Sequence, residues 1–294
     1  MVNIEEENYL DLMKNIMVNG HEKHDRTGIG TRSIFGTQLR FNLENNTLPL
    51  LTTKKMFFKG VVEELLFFIR GETDTKKLEA KGVNIWKGNT SREFLDKRGS
   101  THLPEGDMGK GYGFQWRKFG QRENDYGDFW YGQGGVDQLS NALNLIKTDP
   151  NSRKIIVSAW NPQQLHEMAL EPCHCFYQFY VNNGKLSLHW YQRSVDYCLG
   201  LPFNIASYAV LTHLIAKICD LEPGELIFSG GDTHIYNNHV KIFTQQLVRE
   251  PHPFPKLQIT KDIKSLKDIE EMSFNDFMLV DYVYYDAIKA PMAV

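Results

Sequence analysis

Cys173 stands just after Pro172, where a loop enters the aromatic run HCFYQFYV (174–181). A cysteine at the mouth of a strand is accessible, and a neighbouring cation favours its thiolate, the nucleophilic form. His174 and Cys175 follow directly, so a metal site is a second reading, since Cys173 and Cys175 would share a strand face. Cys198 and Cys219 show no ligand spacing and no second Cys/His cluster appears in the sequence, which argues against a metal. A third reading is a small buried hydrophobe.

The segment QRSVDYCLGLPFNIASYA (192–209) offers a different chemistry. Arg193 and Ser194 can grip an anion through a guanidinium fork and a hydroxyl. Asn204, two residues after Pro202, can cap a helix. Its amide also donates and accepts, which suits the edge of a pyrimidine such as uracil. DRTGIGT (25–31) carries Arg26 in a glycine-rich loop that is neither a dinucleotide nor a Walker motif. Arg153 and Lys154 precede a strand and can equally be solvated charges. Asp232, His234 and Tyr236, in GGDTHIYNNH (230–239), alternate and share a face if extended. Glu64 interrupts an apolar helix, where a carboxylate finds a partner or titrates upward.

These groups need elements to hold them. Apolar spacing predicts helices over 4–18, 60–69 and 136–147, the last stopped at Asp149–Pro150. Strands are expected over 33–43, 155–160, 175–181 and 185–191, the last two joined by a hairpin at Asn182-Asn183-Gly184. Further helices are expected over 205–218 and 236–248, and three prolines (251, 253, 255) lead into a strand at 257–260. The stretch 99–135, rich in glycine, aromatics and charge, reads as surface loops. Without repeats, linkers or steady βαβ alternation, a single α+β domain over 1–294 is favoured over a Rossmann sheet.

The bulk numbers exclude several classes. With 33 basic against 36 acidic residues and a net charge of −3, the chain lacks the basic balance of a protein that lives on phosphate-backbone attraction. No nucleic-acid partner is therefore required. The run 197–216 has no charged side chain and reaches membrane-spanning length, yet Gly200, Pro202, Asn204 and His213 interrupt it. It reads as a loop feeding a buried helix, so no membrane partner is expected. Four cysteines without a disulfide framework, and a polar acidic N-terminus, point to a reducing, cytoplasmic setting.

Taken together, PCH with QFYV, QRS-x-D-x-x-LG-x-PFNIASYA, GDTHIY and the terminal KAPMAV resemble the thymidylate synthase family over essentially the whole chain. The resemblance implies an α+β fold with a large mixed sheet, helices packed on it, and a sheet face forming a homodimer interface. It implies reductive methylation of dUMP to dTMP with 5,10-methylenetetrahydrofolate as co-substrate and no metal. Cys173 would attack C6 of dUMP, with His174 beside it. Arg26, Arg193 and Ser194 would hold the phosphate, joined by Arg153 and Lys154 from the partner chain. Asn204 and Gln192 would meet the base, and His234 and Tyr236 the ribose. Glu64 would organise proton transfers, and Tyr112 would help remove the C5 proton. Asp196 would bind the pterin, with Ile85, Trp86, Asn89, Leu199, Gly200, Phe203, Lys54, Met292 and Ala293 around the folate.

Several residues depart from what the family usually carries: Lys154 in place of an arginine, Lys87 after Trp86, Lys110-Gly111 before Tyr112, and Glu171 near the nucleophile. The alternatives on the same fold are a pyrimidine nucleotide hydroxymethylase and a non-catalytic nucleotide- or RNA-binding relative. The second would be expected to lose Cys173 or the phosphate-binding arginines, and the sequence retains them.

Overall fold

Helix α1 (Ile4–Asn19) opens the computed structural model, which describes residues 2–25, 27–121 and 135–292. Asn3 caps α1 by accepting from the Glu6 N–H, and Tyr9, Leu10, Met13, Ile16 and Met17 form its buried stripe. Six strands make one sheet: β1 (His21–Lys23), β2 (Thr31–Asn42), β3 (Ile156–Ser158), β4 (His174–Asn182), β5 (Lys185–Asp196) and β6 (Glu222–Tyr236). Their order is β1-β2-β6-β5-β4-β3, antiparallel throughout except for the parallel pair β5–β6. A separate ribbon pairs β7 (Lys256–Ile259) with β8 (Phe277–Val280). The architecture is therefore α+β with a mixed sheet, as expected.

The remaining helices are α2 (Phe58–Ile69), α3 (Lys76–Glu79), α4 (Arg92–Lys97), α5 (Tyr112–Lys118), α6 (Gln138–Thr148), α7 (Gly200–Ile218), α8 (Asn237–Phe243) and α9 (Leu266–Glu270). The parallel strands β5 and β6 need a crossover, and α7 supplies it. Apolar nearly all round, α7 is long enough to cross a membrane but packs on β5 and β6 with most of its residues buried. The expected hairpin joins β4 to β5, with Asn183 at φ 49° and Gly184 at φ 73°, the left-handed backbone that this turn requires.

Three expectations are corrected. The stretch 99–135 is not surface loop throughout: α5 lies within it and buries Tyr112, Gln115 and Trp116 (122–134 lies outside the described residues). Gly113 makes this possible, because a Cβ there would meet the Phe68 carbonyl oxygen at 2.6 Å. Helix α7 begins at Gly200 rather than 205, since Pro202 falls in the first turn, where its missing N–H costs nothing. Asn204 is thus inside the helix and caps nothing. The third is β6, where sequence spacing predicted a shared face at 232, 234 and 236 but no strand of fifteen residues.

Where α1 meets the β5–α7 turn, Tyr9 and Tyr197 stack with ring centroids 4.7 Å apart. Each hydroxyl donates to the other residue's carbonyl, at 2.9 and 2.7 Å. Both side chains are fully buried. Tyr9→Phe takes the hydrogen bond from the Tyr197 carbonyl and is expected to cost about 1–3 kcal/mol. Urea unfolding of the variant beside the parent measures this, and an unchanged midpoint would show that the reciprocal pair does not brace the turn.

Candidate active site

The residues singled out in the sequence converge where the C-terminal ends of β5 and β6 meet the start of α7. Parallel pairing sets Ser194 opposite Asp232 and Asp196 opposite His234. The Arg193 N–H donates to the Cys173 carbonyl at 2.8 Å, which ties the cysteine loop to β5. The Arg193 side chain braces the same loop, with Nε donating to Pro172 O and a terminal nitrogen to Glu171 O, both at 2.9 Å. Its guanidinium lies over the Trp160 ring, 5.3 Å from the centroid. This supplies the cation beside the cysteine loop that the sequence reading asked for.

On the other side, the Cys173 N–H donates to the Tyr112 hydroxyl at 2.9 Å. Tyr112 stacks between His174 (4.2 Å) and Phe68 (5.0 Å), and Trp86 meets its ring at 5.8 Å. Its φ of 21° is unusual for a bulky residue, and this aromatic packing holds it there. Burial raises the Tyr112 phenol well above its usual range, so it stays protonated. His174 Nδ1 lies 2.7 Å from the Tyr208 hydroxyl, and burial lowers its imidazole to about 3. His174 is therefore a neutral ring that supports Tyr112. Sequence spacing could not couple Phe68, Tyr112, His174 and Tyr208, because only packing brings those segments together.

Glu64 is half-buried and accepts from Trp86 Nε1 at 2.7 Å. Burial pushes its carboxyl up from 4.5 to about 7, and the Trp86 bond opposes part of that rise. Its neighbour Glu63 is more deeply buried but bonds Lys81 at 2.6 Å. Position along the helix thus separates a paired structural carboxylate from one poised to exchange a proton.

Asn204 Nδ2 donates to Gln192 Oε1 at 2.9 Å, and Gln192 Nε2 donates to Ser194 O at 3.1 Å. That fixes the Asn204 amide and leaves its oxygen and a second N–H able to read a flat polar edge. His234 Nδ1 donates to Asp232 Oδ1 at 3.2 Å, while Lys23 and Ser33 also donate to Asp232. These bonds, His234 first, hold the Asp232 carboxyl well below its usual range. Asp196 Oδ1 accepts from the Cys198 and Leu199 N–H groups, and its Oδ2 meets no partner among the described residues. Ile85, Trp86, Leu199 and Phe203 are half-buried against the core, and Gly200 and Asn89 are also half-buried. An apolar wall with one free carboxylate oxygen fits a flat heterocycle bearing N–H donors.

Some expected residues are not brought to this surface. Lys54 is 4% exposed, its ammonium donates to the Cys198 carbonyl, and burial lowers it to about 8. It braces the turn that carries Asp196. Arg153 and Lys154 are exposed just before β3, at the sheet edge. Met292 is exposed near the end of the tail. Arg26 and Ala293 lie outside the described residues. An open cavity of about 540 Å³, lined by His213, Lys217, Leu221 and Lys256 among others, shares none of the site residues.

A family model described as "Thymidylate synthase" matches residues 7–294. A thymidylate synthase of Herpesvirus ateles is 52% identical over 289 residues, covering 98% of each chain. Bifunctional dihydrofolate reductase-thymidylate synthases of Zea mays and Paramecium tetraurelia are 52% and 53% identical over 290 residues. Those alignments cover 99% of this chain but only 55% and 62% of the relatives, so the chain spans little more than half of their length.

Glu64 yields a pH signature. Between 4.5 and about 7 the folded chain keeps a proton that the unfolded chain has lost. The group's contribution is therefore full at low pH and disappears as pH rises through about 7. Glu64→Gln is expected to remove up to about 3 kcal/mol of this pH dependence. Urea unfolding at pH 5 and pH 8 checks it, and equal slopes in variant and parent would sink the assignment.

Proposed function

The chain belongs to the thymidylate synthase family, and we propose on that premise that it methylates dUMP to dTMP, with 5,10-methylenetetrahydrofolate consumed and dihydrofolate formed. The observation that carries this reading is the clamp on Cys173, between the Tyr112 hydroxyl on its N–H and Arg193 on its carbonyl. A pyrimidine C5=C6 bond is unreactive until a nucleophile adds to it, and a thiolate held at a fixed place does so most readily. Addition of Cys173 to C6 leaves C5 electron-rich. When bound, the folate supplies the one-carbon unit and then the hydride.

Arg26, Arg193 and Ser194 hold the nearly dianionic phosphate, and His234 and Tyr236 take the ribose hydroxyl. Asn204, set by Gln192, reads the base as uracil. Glu64, with its carboxyl near neutrality, passes protons through water at the pyrimidine oxygen. Tyr112 keeps its own proton, so its part at C5 is to orient the accepting oxygen rather than to act as phenolate. The free oxygen of Asp196 takes a pterin N–H, and Ile85, Trp86, Leu199 and Phe203 wall the ring. The C-terminal residues close over the complex and exclude water. One catalytic domain spans 1–294.

Its partner is a second copy of the same chain. The sheet face opposite α7 leaves Phe176 and Tyr180 exposed, unusual for aromatic strand residues, and Ile156 is exposed on the neighbouring β3. Arg153 and Lys154 stand at the edge of that sheet, free to reach a neighbour's phosphate site.

The activity is tested with dUMP and methylenetetrahydrofolate, following C5-tritium release and dihydrofolate absorbance together. Both signals in equal amounts are expected, and Cys173→Ser should lower them roughly a thousandfold or more while dUMP still binds. Tritium release without dihydrofolate would point to a hydroxymethyl product, and neither signal with dUMP bound would end both enzymatic readings. For the dimer, Cys173→Ser and Arg153→Glu chains are mixed after reversible dissociation. Each alone should be nearly inactive, and the mixture should regain activity because one site per heterodimer escapes both changes. No recovery would refute the cross-subunit arginine.

A further inference from the structure

His239, in α8, carries a contact that none of the roles above uses. Its side chain is fully buried, and Nε2 donates to the carbonyl of Pro291 at 2.7 Å. Because a carbonyl only accepts, Nε2 carries the proton of this bond. Nδ1 is buried and meets no hydrogen-bond partner among the described residues. A buried polar atom without a partner costs free energy, so the ring is not placed for its own stability. Tyr236 and Phe243 hold it edge-on, with centroids at 5.6 and 5.8 Å.

Elsewhere the tail is held by upstream hydrogen bonds and by Ile288 and Ala290, which pack on the core. Tyr282 donates to Leu51 O, the Tyr285 N–H donates to Thr52 O, and Arg249 donates to both Thr53 O and Asp286 O. After Asp286, the His239–Pro291 bond is the only hydrogen bond among the described residues. It lies one ring contact from Tyr236, at the end of β6 where the proposed ribose contacts are. We propose that His239 is a positioning residue that sets Pro291 and Met292 against that end of the site, and so fixes how well the tail shuts out water during reduction. This rests on the reading of the site as a dUMP and folate site. His239 itself touches no substrate in this scheme.

Two replacements separate the donor from the ring. Phe keeps a ring of similar size without an N–H, and Gln places an amide N–H near the position of Nε2. Relative to the full-length parent, His239→Phe is expected to raise the KM for methylenetetrahydrofolate roughly fivefold or more, the weight of one lost hydrogen bond. Tritium release should then exceed dihydrofolate formation, because water competes for the intermediate, while the KM for dUMP stays within about twofold. His239→Gln should restore most of both. Without substrate, tryptic cleavage after the exposed Lys289 should quicken in His239→Phe and stay near the parent rate in His239→Gln.

An unchanged cleavage rate after Lys289 in His239→Phe, or tritium release that still matches dihydrofolate, overturns the proposal. Should His239→Phe fold poorly, chains lacking 291–294 decide the matter. With Pro291 gone, the shortened chain that keeps His239 and the shortened chain that carries His239→Gln should be alike in folate KM and in release ratio. A clear difference between them overturns it. A parent chain that makes no dTMP defeats the functional reading, yet leaves the cleavage comparison intact, so the two failures are told apart.

Discussion

The parallel pairing of β5 with β6 is the constraint from which the site follows. It demands a crossover, and α7 is that crossover, buried along nearly its whole length. The first turn of α7 therefore emerges beside the ends of the two strands that it connects. Asn204 meets Gln192, Asp196 faces His234 in register, and the Cys173 loop is drawn in by the backbone of Arg193. Shift the register by one residue and these side chains change faces together. Candidate site groups from distant stretches of chain share one surface because a single strand pair orders them.

Burial around that surface acts on four of its titratable groups in one direction, against charge. It lifts Glu64 toward neutrality, keeps Tyr112 a phenol and His174 a neutral imidazole, and pulls Lys54 down to about 8. The outcomes differ because the partners differ. Glu64 has one neutral donor, whereas Asp232 has a histidine, a lysine and a serine, and is held ionised. The same packing thus prepares one carboxyl to exchange a proton and another to anchor a histidine.

The residues that depart from the family's usual pattern find partners on this chain. Lys110 pairs with Glu167, Lys87 with Glu79, and Glu171 with Arg98. Lys87 is largely exposed and its pair adds little stability, while Lys110 and Arg98 are more sheltered. Glu171 engages Arg98 through its side chain while its carbonyl receives Arg193, so the substitution leaves the brace on Cys173 in place. Lys154 has no such account in this structure.

Local pattern alone determined much of this protein. Helices α1, α2 and α6, the β4–β5 hairpin and the buried character of α7 follow from apolar spacing, caps and the Asn-Gly turn, which act within a few residues. Cys173, Arg193, Asn204, His234 and Glu64 stood out as reactive or polar types, but local spacing left plainer readings open and only the family resemblance joined them. Only the tertiary structure decided that Tyr112 belongs to a buried helix, that Lys54 braces a turn, that His174 stays neutral and that His239 grips the tail. Those facts depend on segments far apart in the chain meeting in a dry interior, where desolvation and shared hydrogen bonds set each group's behaviour. No spacing along the chain encodes that meeting.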